Sequence, residues 1–241
     1  MRGSQKLSTI KMEENLVYSE IISPGDVIAV GDIHGRMDLY QLFLDHVKDS
    51  DATVILLGDL IDRGPDDMAV LNCTRDLLFD PESWGLRAFY ALRGNHENMF
   101  LDAISASSGT ILWWENGGNV AEIHNMAFHE DWVSQLPIYM TVGDTMFIHA
   151  GIYPGHDPAK AIADGKTSNL VWMRQPFLTL GPQFYKWSKT LKQIVFGHTP
   201  MCDQPYRIPD GVCIDSGAYY TDILTSYNIT KNTFNSFTTN P

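Results

Sequence analysis

Five times along the chain a short apolar run stops at a polar, metal-type residue, most often across a glycine. DVIAVG leads to Asp32 and His34 in GDIHG, and TVILLG to Asp59 in GDLIDRG. FYALRG leads to Asn95 and His96 in RGNHE, TMFI to His149 in HAG, and IVFG to His198 in GHTP. Short runs rich in Val, Ile and Leu suit buried strands. Strand ends on one edge of an α/β sheet are where such folds gather ligands. Five loops of this kind can converge on a single point.

The segments between these runs set the fold class. Leu39, Leu42, Phe43 and Val47 recur as one helix face. Met68, Val70, Leu71, Leu77 and Leu78 mark a second helix, and NHENMFLDAIS (95–105) a third. DVIAV (26–30), TVILL (53–57) and LRAFYAL (86–92) alternate with them, so βαβαβα order predicts parallel strands with helices packed on the sheet. TMFIHA (145–150), QIVFG (193–197), GVCID (211–215) and DILTSYNI (222–229) follow with few helices between them, and predict a second sheet facing the first. The connection 151–192 is long enough to be functional. The expected division is an N-terminal segment 1–25, one domain over 26–230 and a polar C-terminal tail over 231–241.

Bulk properties exclude several classes. The formal net charge of −12 repels nucleic-acid phosphates and argues against sequence-independent nucleic-acid binding. It does not exclude an anionic substrate, because bound cations invert the local field. Cys73, Cys202 and Cys213 are too few and too scattered for a disulfide framework or a zinc ribbon, and read as buried, reduced thiols. The opening MRGSQKLSTIKMEENLVYSE has no apolar stretch of the secretory type, and no run approaches the roughly 18 apolar residues of a membrane span. A cytoplasmic monomer or weak oligomer is the expectation, with no nucleic-acid and no membrane partner.

The donor types suit a particular chemistry. Aspartate oxygens, an asparagine carbonyl and imidazoles without a thiolate suit Mn²⁺, Fe or Zn²⁺ better than a soft metal, and three imidazoles disfavour an all-oxygen Mg²⁺ or Ca²⁺ cage. A lone strand-end aspartate is usually a helix cap; five such segments together are not. Four of the eight histidines, His34, His96, His149 and His198, sit in these motifs, while His46, His124, His129 and His156 read as structural or surface groups.

GDIHG, GDLIDRG, RGNHE, HAG and GHTP, in this order, resemble the calcineurin-like metallophosphoesterases. The arginine-bearing forms GDLIDRG and RGNHE resemble the phosphoprotein phosphatase branch, in its bacterial and bacteriophage serine/threonine phosphatase type. The resemblance implies two β-sheets packed face to face with helices outside, a four-layer αββα sandwich. It implies two divalent ions, manganese first and iron or zinc as alternatives, with Asp32, His34 and His198 on one, Asn95 and His149 on the other, and Asp59 bridging. A water shared by the ions would be the nucleophile. His96 would be the general acid, oriented by Asp62, and Arg63, Arg93 and Arg174 would bind or flank the phosphate. Tyr219 and Tyr220 read as core or rim packing rather than as shapers of the substrate pocket. The implied substrate is a phosphorylated protein or a small phosphoester. A dinucleoside polyphosphate hydrolase is the near alternative, disfavoured by Glu97 where that branch usually carries Asp, and an inactive phospho-ligand-binding module is the alternative of another class.

Overall fold

The computed structural model describes residues 25–239; the N-terminal segment read for targeting signals lies outside the described residues. Three strands, β1 (Val27–Val30), β2 (Thr53–Leu56) and β3 (Ala88–Ala91), alternate with helices α1 (Met37–Val47), α2 (Asp67–Phe79) and α3 (Asn95–Ser105), followed by α4 (Ser107–Glu115). Then come β4 (Tyr139–Val142), β5 (Thr145–Ile148), β6 (Gln193–Phe196), β7 (Tyr206–Ile208), β8 (Gly211–Cys213), β9 (Leu224–Asn228) and β10 (Thr233–Phe237). They form two five-stranded mixed sheets, ordered β10-β9-β1-β2-β3 and β4-β5-β6-β8-β7. The expected parallel pairings β1–β2 and β2–β3 are present, and β5–β6 and β6–β8 in the second sheet are parallel as well.

Both faces of the central strands are apolar, and the two-residue period divides them. Ile28, Val30, Val54 and Leu56 face the helices α1 to α4, in a core that includes Phe43, Leu71, Phe100 and Trp113. Ala29, Ile55 and Leu57 turn the other way and meet Phe147, Val195 and Val212 of the second sheet. Met146, Ile148, Ile194 and Phe196 point outward again, under Val171, Phe177 and Phe184 from the long connection. Three apolar layers between four structural layers give the αββα sandwich. Phe147→Ala in the middle layer, where the ring is fully buried, is expected to cost about 3–5 kcal/mol of stability, read as a lowered midpoint in urea unfolding.

The structure departs from the sequence reading in four places. DILTSYNI, expected in the second sheet, supplies β9, which pairs antiparallel with β1 in the first. The turn after β8 leaves from the upper edge, so the returning strand can only run downward, and the free side of β1 accepts it. The polar tail holds edge strand β10, seated by Phe234 stacked on Tyr227 at 4.6 Å and by Phe237 against Phe43. Leu42 is exposed; Tyr40 and Leu44 are buried in its stead. Cys202 is exposed and Cys73 half-buried, so only Cys213 is buried as expected, although all three cysteines are free.

Candidate active site

The carboxyl ends of β1, β2, β3, β5, β6 and β8 lie on one edge of the sandwich, and the polar residues of the motifs follow them directly. Asp32, His34, Asp59, Asn95, His96, His149 and His198 are all buried there. The loops reach this density by unusual backbone geometry. His34, Asp59, Asp62, Arg63 and His198 all have positive φ, between 48° and 72°. Each such non-glycine residue carries roughly 1–2 kcal/mol of local strain, so the surrounding fold holds them in place. Two glycines make room for carboxylates: a Cβ at Gly94 would lie 2.2 Å from Asp59 Oδ1, and one at Gly197 would lie 2.1 Å from Asp32 Oδ1.

Backbone carbonyls fix the tautomers of two imidazoles. His149 Nδ1 meets Leu57 O at 3.0 Å, and His34 Nδ1 meets Ile61 O at 2.9 Å. A carbonyl only accepts, so each Nδ1 donates and each Nε2 turns to the centre. Around His149 Nε2 stand Asn95 Oδ1 at 2.9 Å, His198 Nδ1 at 3.2 Å and Asp59 Oδ1 at 3.3 Å. These atoms carry lone pairs aimed at one another, an arrangement that a cation among them would satisfy. Burial disfavours the His149 imidazolium, but the charge of Asp59 outweighs it and raises His149 above its ordinary value. Asp59 is itself held well below the carboxylate range: burial would raise it, but His149, His96 and His34 outweigh burial. On its other side Asp59 Oδ2 lies 3.7 Å from His34 Nε2 and 3.9 Å from His96 Nε2. Burial pushes the His34 imidazolium down to about 3, leaving a neutral ring able to ligate. His198 Nε2 has no hydrogen-bond partner among the described residues. The donor set and its crowded lone pairs fit two divalent cations sharing Asp59. Asp59–His149–His198 and His34–Asp59–His96 each gather within metal-binding reach.

Asp32 meets this cluster differently from the expectation. Its carboxylate accepts from the backbone N–H of His198 at 3.1 and 3.2 Å, while the His198 ring crosses to His149. The His198 side chain is therefore grouped with Asn95 and His149, not with Asp32 and His34.

Beside the cluster, His96 Nδ1 is 2.6 Å from Asp62 Oδ2, both side chains fully buried, and His96 Nε2 is buried with no hydrogen-bond partner among the described residues. Burial lowers the His96 imidazolium to about 4 and raises the Asp62 carboxyl to about 8.

Residues 25–230 match the family described as calcineurin-like phosphoesterase. The chain belongs to that family. Among relatives, it is 42% identical to serine/threonine-protein phosphatase 1 of Salmonella typhimurium over 95 residues, 39% of each chain. It is 29% identical to a symmetrical bis(5'-nucleosyl)-tetraphosphatase of Burkholderia pseudomallei over 181 residues, 74% of this chain and 56% of the relative. These matches span between about two fifths and somewhat over half of the relatives' lengths. A putative diadenosine tetraphosphatase has the same fold, with a TM-score of 0.65 at 23% identity over 95% of this chain and 100% of its own. A cold-active protein tyrosine phosphatase aligns with a TM-score of 0.61 at 17% identity, over 89% of this chain and 79% of its own.

Within this calcineurin-like phosphoesterase the three arginines stand differently. Arg63 is exposed at the mouth, its Nη1 2.9 Å from His34 Nε2 and its guanidinium 4.9 Å from the Tyr219 ring centre. Arg174 is exposed and close enough to His198 to disfavour its charged form, after burial and His149. Arg93 is engaged elsewhere, with Nη1 donating to Ser134 O at 3.1 Å and Nε buried without a partner among the described residues. Tyr219 sits at the rim as read, edge-on to His34 at 5.3 Å. His46, His124 and His156 are exposed, and His129 is a buried acceptor for Trp132 Nε1, so these four stay outside the cluster.

Three residues that support the site were given no such role in the sequence reading. Asp215 is buried against Asp32; burial and the charge of Asp59 push it up to about 6, although Gly217 N–H donates to it. Its signal was available, since GVCID ends an apolar strand in aspartate. Glu97 accepts from the backbone N–H groups of Gly94, Leu60 and Asp59 at 2.7, 2.8 and 2.9 Å. It thus ties the start of α3 to the Asp59 loop, with no contact to substrate space. Glu97→Ala leaves three buried donors unpaired and is expected to lower stability by about 3 kcal/mol or more, measured as a fall in Tm at constant metal. Trp113, on α4, donates to both oxygens of Asp62.

Proposed function

We propose that the protein is a dinuclear-metal phosphoester hydrolase that removes phosphate from phosphoserine or phosphothreonine in proteins. One observation carries this reading: four lone-pair atoms crowd together beside the His96 imidazole, whose Nδ1 is held by the buried Asp62 carboxyl and whose Nε2 has no hydrogen-bond partner among the described residues. Asp32 and His34 would hold one ion, and Asn95, His149 and His198 the other, with Asp59 between them. Manganese suits this mixed oxygen and nitrogen set, with iron or zinc as alternatives. Bound there, such ions would polarise phosphoryl oxygens and acidify water towards neutral pH.

The remaining work falls to the chain's own side chains. Arg63, and Arg174 near His198, would offer planar, multidentate donors to phosphate oxygens; Arg93 is tied to Ser134 O instead. A serine or threonine oxygen leaves as alkoxide unless it is protonated. His96 Nε2 is the donor for that proton, and Asp62 holds Nδ1 so that Nε2 faces the reacting centre. Positive charge at this edge draws a phosphate dianion into a body of net charge −12.

The stretch of highest identity among the named relatives belongs to a protein phosphatase. A second reading, hydrolysis of dinucleoside polyphosphates, is supported by the relative that aligns over 74% of this chain. The position of Glu97 makes the Glu-for-Asp difference a matter of loop support, so it does not separate the two. Purified protein with manganese is therefore to be assayed on a phosphoserine peptide, a diadenosine polyphosphate and p-nitrophenyl phosphate. Turnover of the peptide and the aryl ester is the expected result. Hydrolysis of the dinucleotide alone would overturn the first reading, and no turnover at saturating metal would favour a binding module.

A further inference from the structure

Asp62 is completely buried, and its two oxygens receive more than the His96 imidazole. The indole Nε1–H of Trp113 reaches Oδ1 at 2.9 Å and Oδ2 at 2.8 Å, while the Asp62 backbone N–H donates to Asp67 Oδ1 at 2.8 Å. Trp113 is fully buried and packs on Phe100 with ring centres 5.8 Å apart. The chain makes specific room for it: a Cβ at Gly118 would lie 2.4 Å from the indole ring. The same segment grips the next residue of the motif. Gly117 O accepts from the Arg63 backbone N–H at 3.2 Å, and Asn116 O accepts from Arg63 Nε at 3.3 Å. Residues 113–118, which carry no metal-type side chain at the cluster, thus hold both Asp62 and Arg63.

We propose that Trp113 is a positioning residue of the reaction: its indole N–H fixes the Asp62 carboxylate, and through it aims His96 Nε2 at the leaving-group oxygen. This rests on the hydrolase reading above. An indole N–H only donates, so it cannot exchange roles with Asp62, and spanning both oxygens it fixes the plane of the carboxylate. His96 Nδ1 then meets a carboxylate in one orientation. In the step itself the phosphoryl group passes to the oxygen of a water. As the bond from phosphorus to the leaving oxygen breaks, the proton on His96 Nε2 moves to that oxygen, and an alcohol departs. A misaimed Nε2 slows the reaction only where the leaving oxygen needs the proton, as it does for serine, threonine or phenol, and much less for p-nitrophenolate.

The test is a leaving-group series on the metal-loaded protein, with Trp113→Phe and Trp113→Met. Both lose the N–H but fill the core differently. Supporting-partner losses of this kind cost about 10–100-fold. That loss is expected in kcat for phenyl phosphate and a phosphoserine peptide, with KM little changed and p-nitrophenyl phosphate slowed no more than about 3-fold. In a His96→Asn background the same substitutions should cost almost nothing on phenyl phosphate, because the group they aim is gone. An equal loss across the series, or the same loss with and without His96, would assign Trp113 a packing role and overturn the inference. Turnover of the whole series by the unsubstituted protein keeps this outcome separate from a failure of the hydrolase reading, in which the unsubstituted protein itself would be inactive.

Discussion

Asp59→Asn is expected to remove divalent metal and activity together, with turnover falling by at least about 10³-fold, the equivalent of about 4 kcal/mol of barrier. The Asp59 carboxylate is the only anionic side chain within reach of His34, His96 and His149 at once, at 3.7, 3.9 and 3.3 Å among the described residues. It also accepts the His96 backbone N–H at 3.0 Å, at the amino end of α3, where the helix dipole favours negative charge. An amide in its place carries no charge and turns an N–H₂ donor towards one of the two cation positions. Metal content by mass spectrometry of the desalted protein, taken beside kcat, checks the result. A variant that still carries two equivalents of metal would remove Asp59 from the bridging position.

His96→Asn is expected to separate what Asp59→Asn joins. Metal content should stay at the unsubstituted level, and kcat on a phosphoserine peptide should fall by about 10²–10⁴-fold, the range of general acid catalysis. The physical basis is the division of labour at the imidazole. His96 Nδ1 is committed to Asp62 at 2.6 Å, while the lone-pair crowd gathers around His149 instead. Asparagine keeps an amide at the first turn of α3 but has no ring nitrogen with which to deliver a proton. If metal content fell equally in both variants, the assignment of His96 as a proton donor rather than a ligand would be wrong.

Much of this site was legible in the chain because its residues report themselves locally. An apolar run that stops at Asp, Asn or His marks a strand end, and GDIHG, GDLIDRG, RGNHE, HAG and GHTP mark the candidate ligand residues, which the fold brings together, buried, at one edge. What could not be read depended on contacts with no local signature. Trp113 looks like any core tryptophan in ILWWENGG until its N–H is seen on Asp62, and its neighbour Trp114 is 63% exposed. The grouping of His198 depends on where its ring turns after a backbone N–H has claimed Asp32. The sheet membership of β9 depends on chain direction, which hydrophobic period does not encode. Strands β4 and β7 at the edges of the second sheet went unread for a related reason: YMTV and YRI are short, partly exposed and border turns.

The pairing of β1 carries a consequence for how the molecule comes into being. Ile28 faces Asn228 across the sheet, and Phe237 closes onto α1 through Phe43. Ribosomal synthesis delivers β1 to β3 early, but the strand that completes their sheet emerges some two hundred residues later. Until then Val30 and Ala29 present an open hydrogen-bonding border beside the nascent ligand loops, a surface prone to pairing with the wrong chain. Loop closure over such a distance is slow, so the border of β1 is closed only once β9, made some two hundred residues after it, has been delivered and paired.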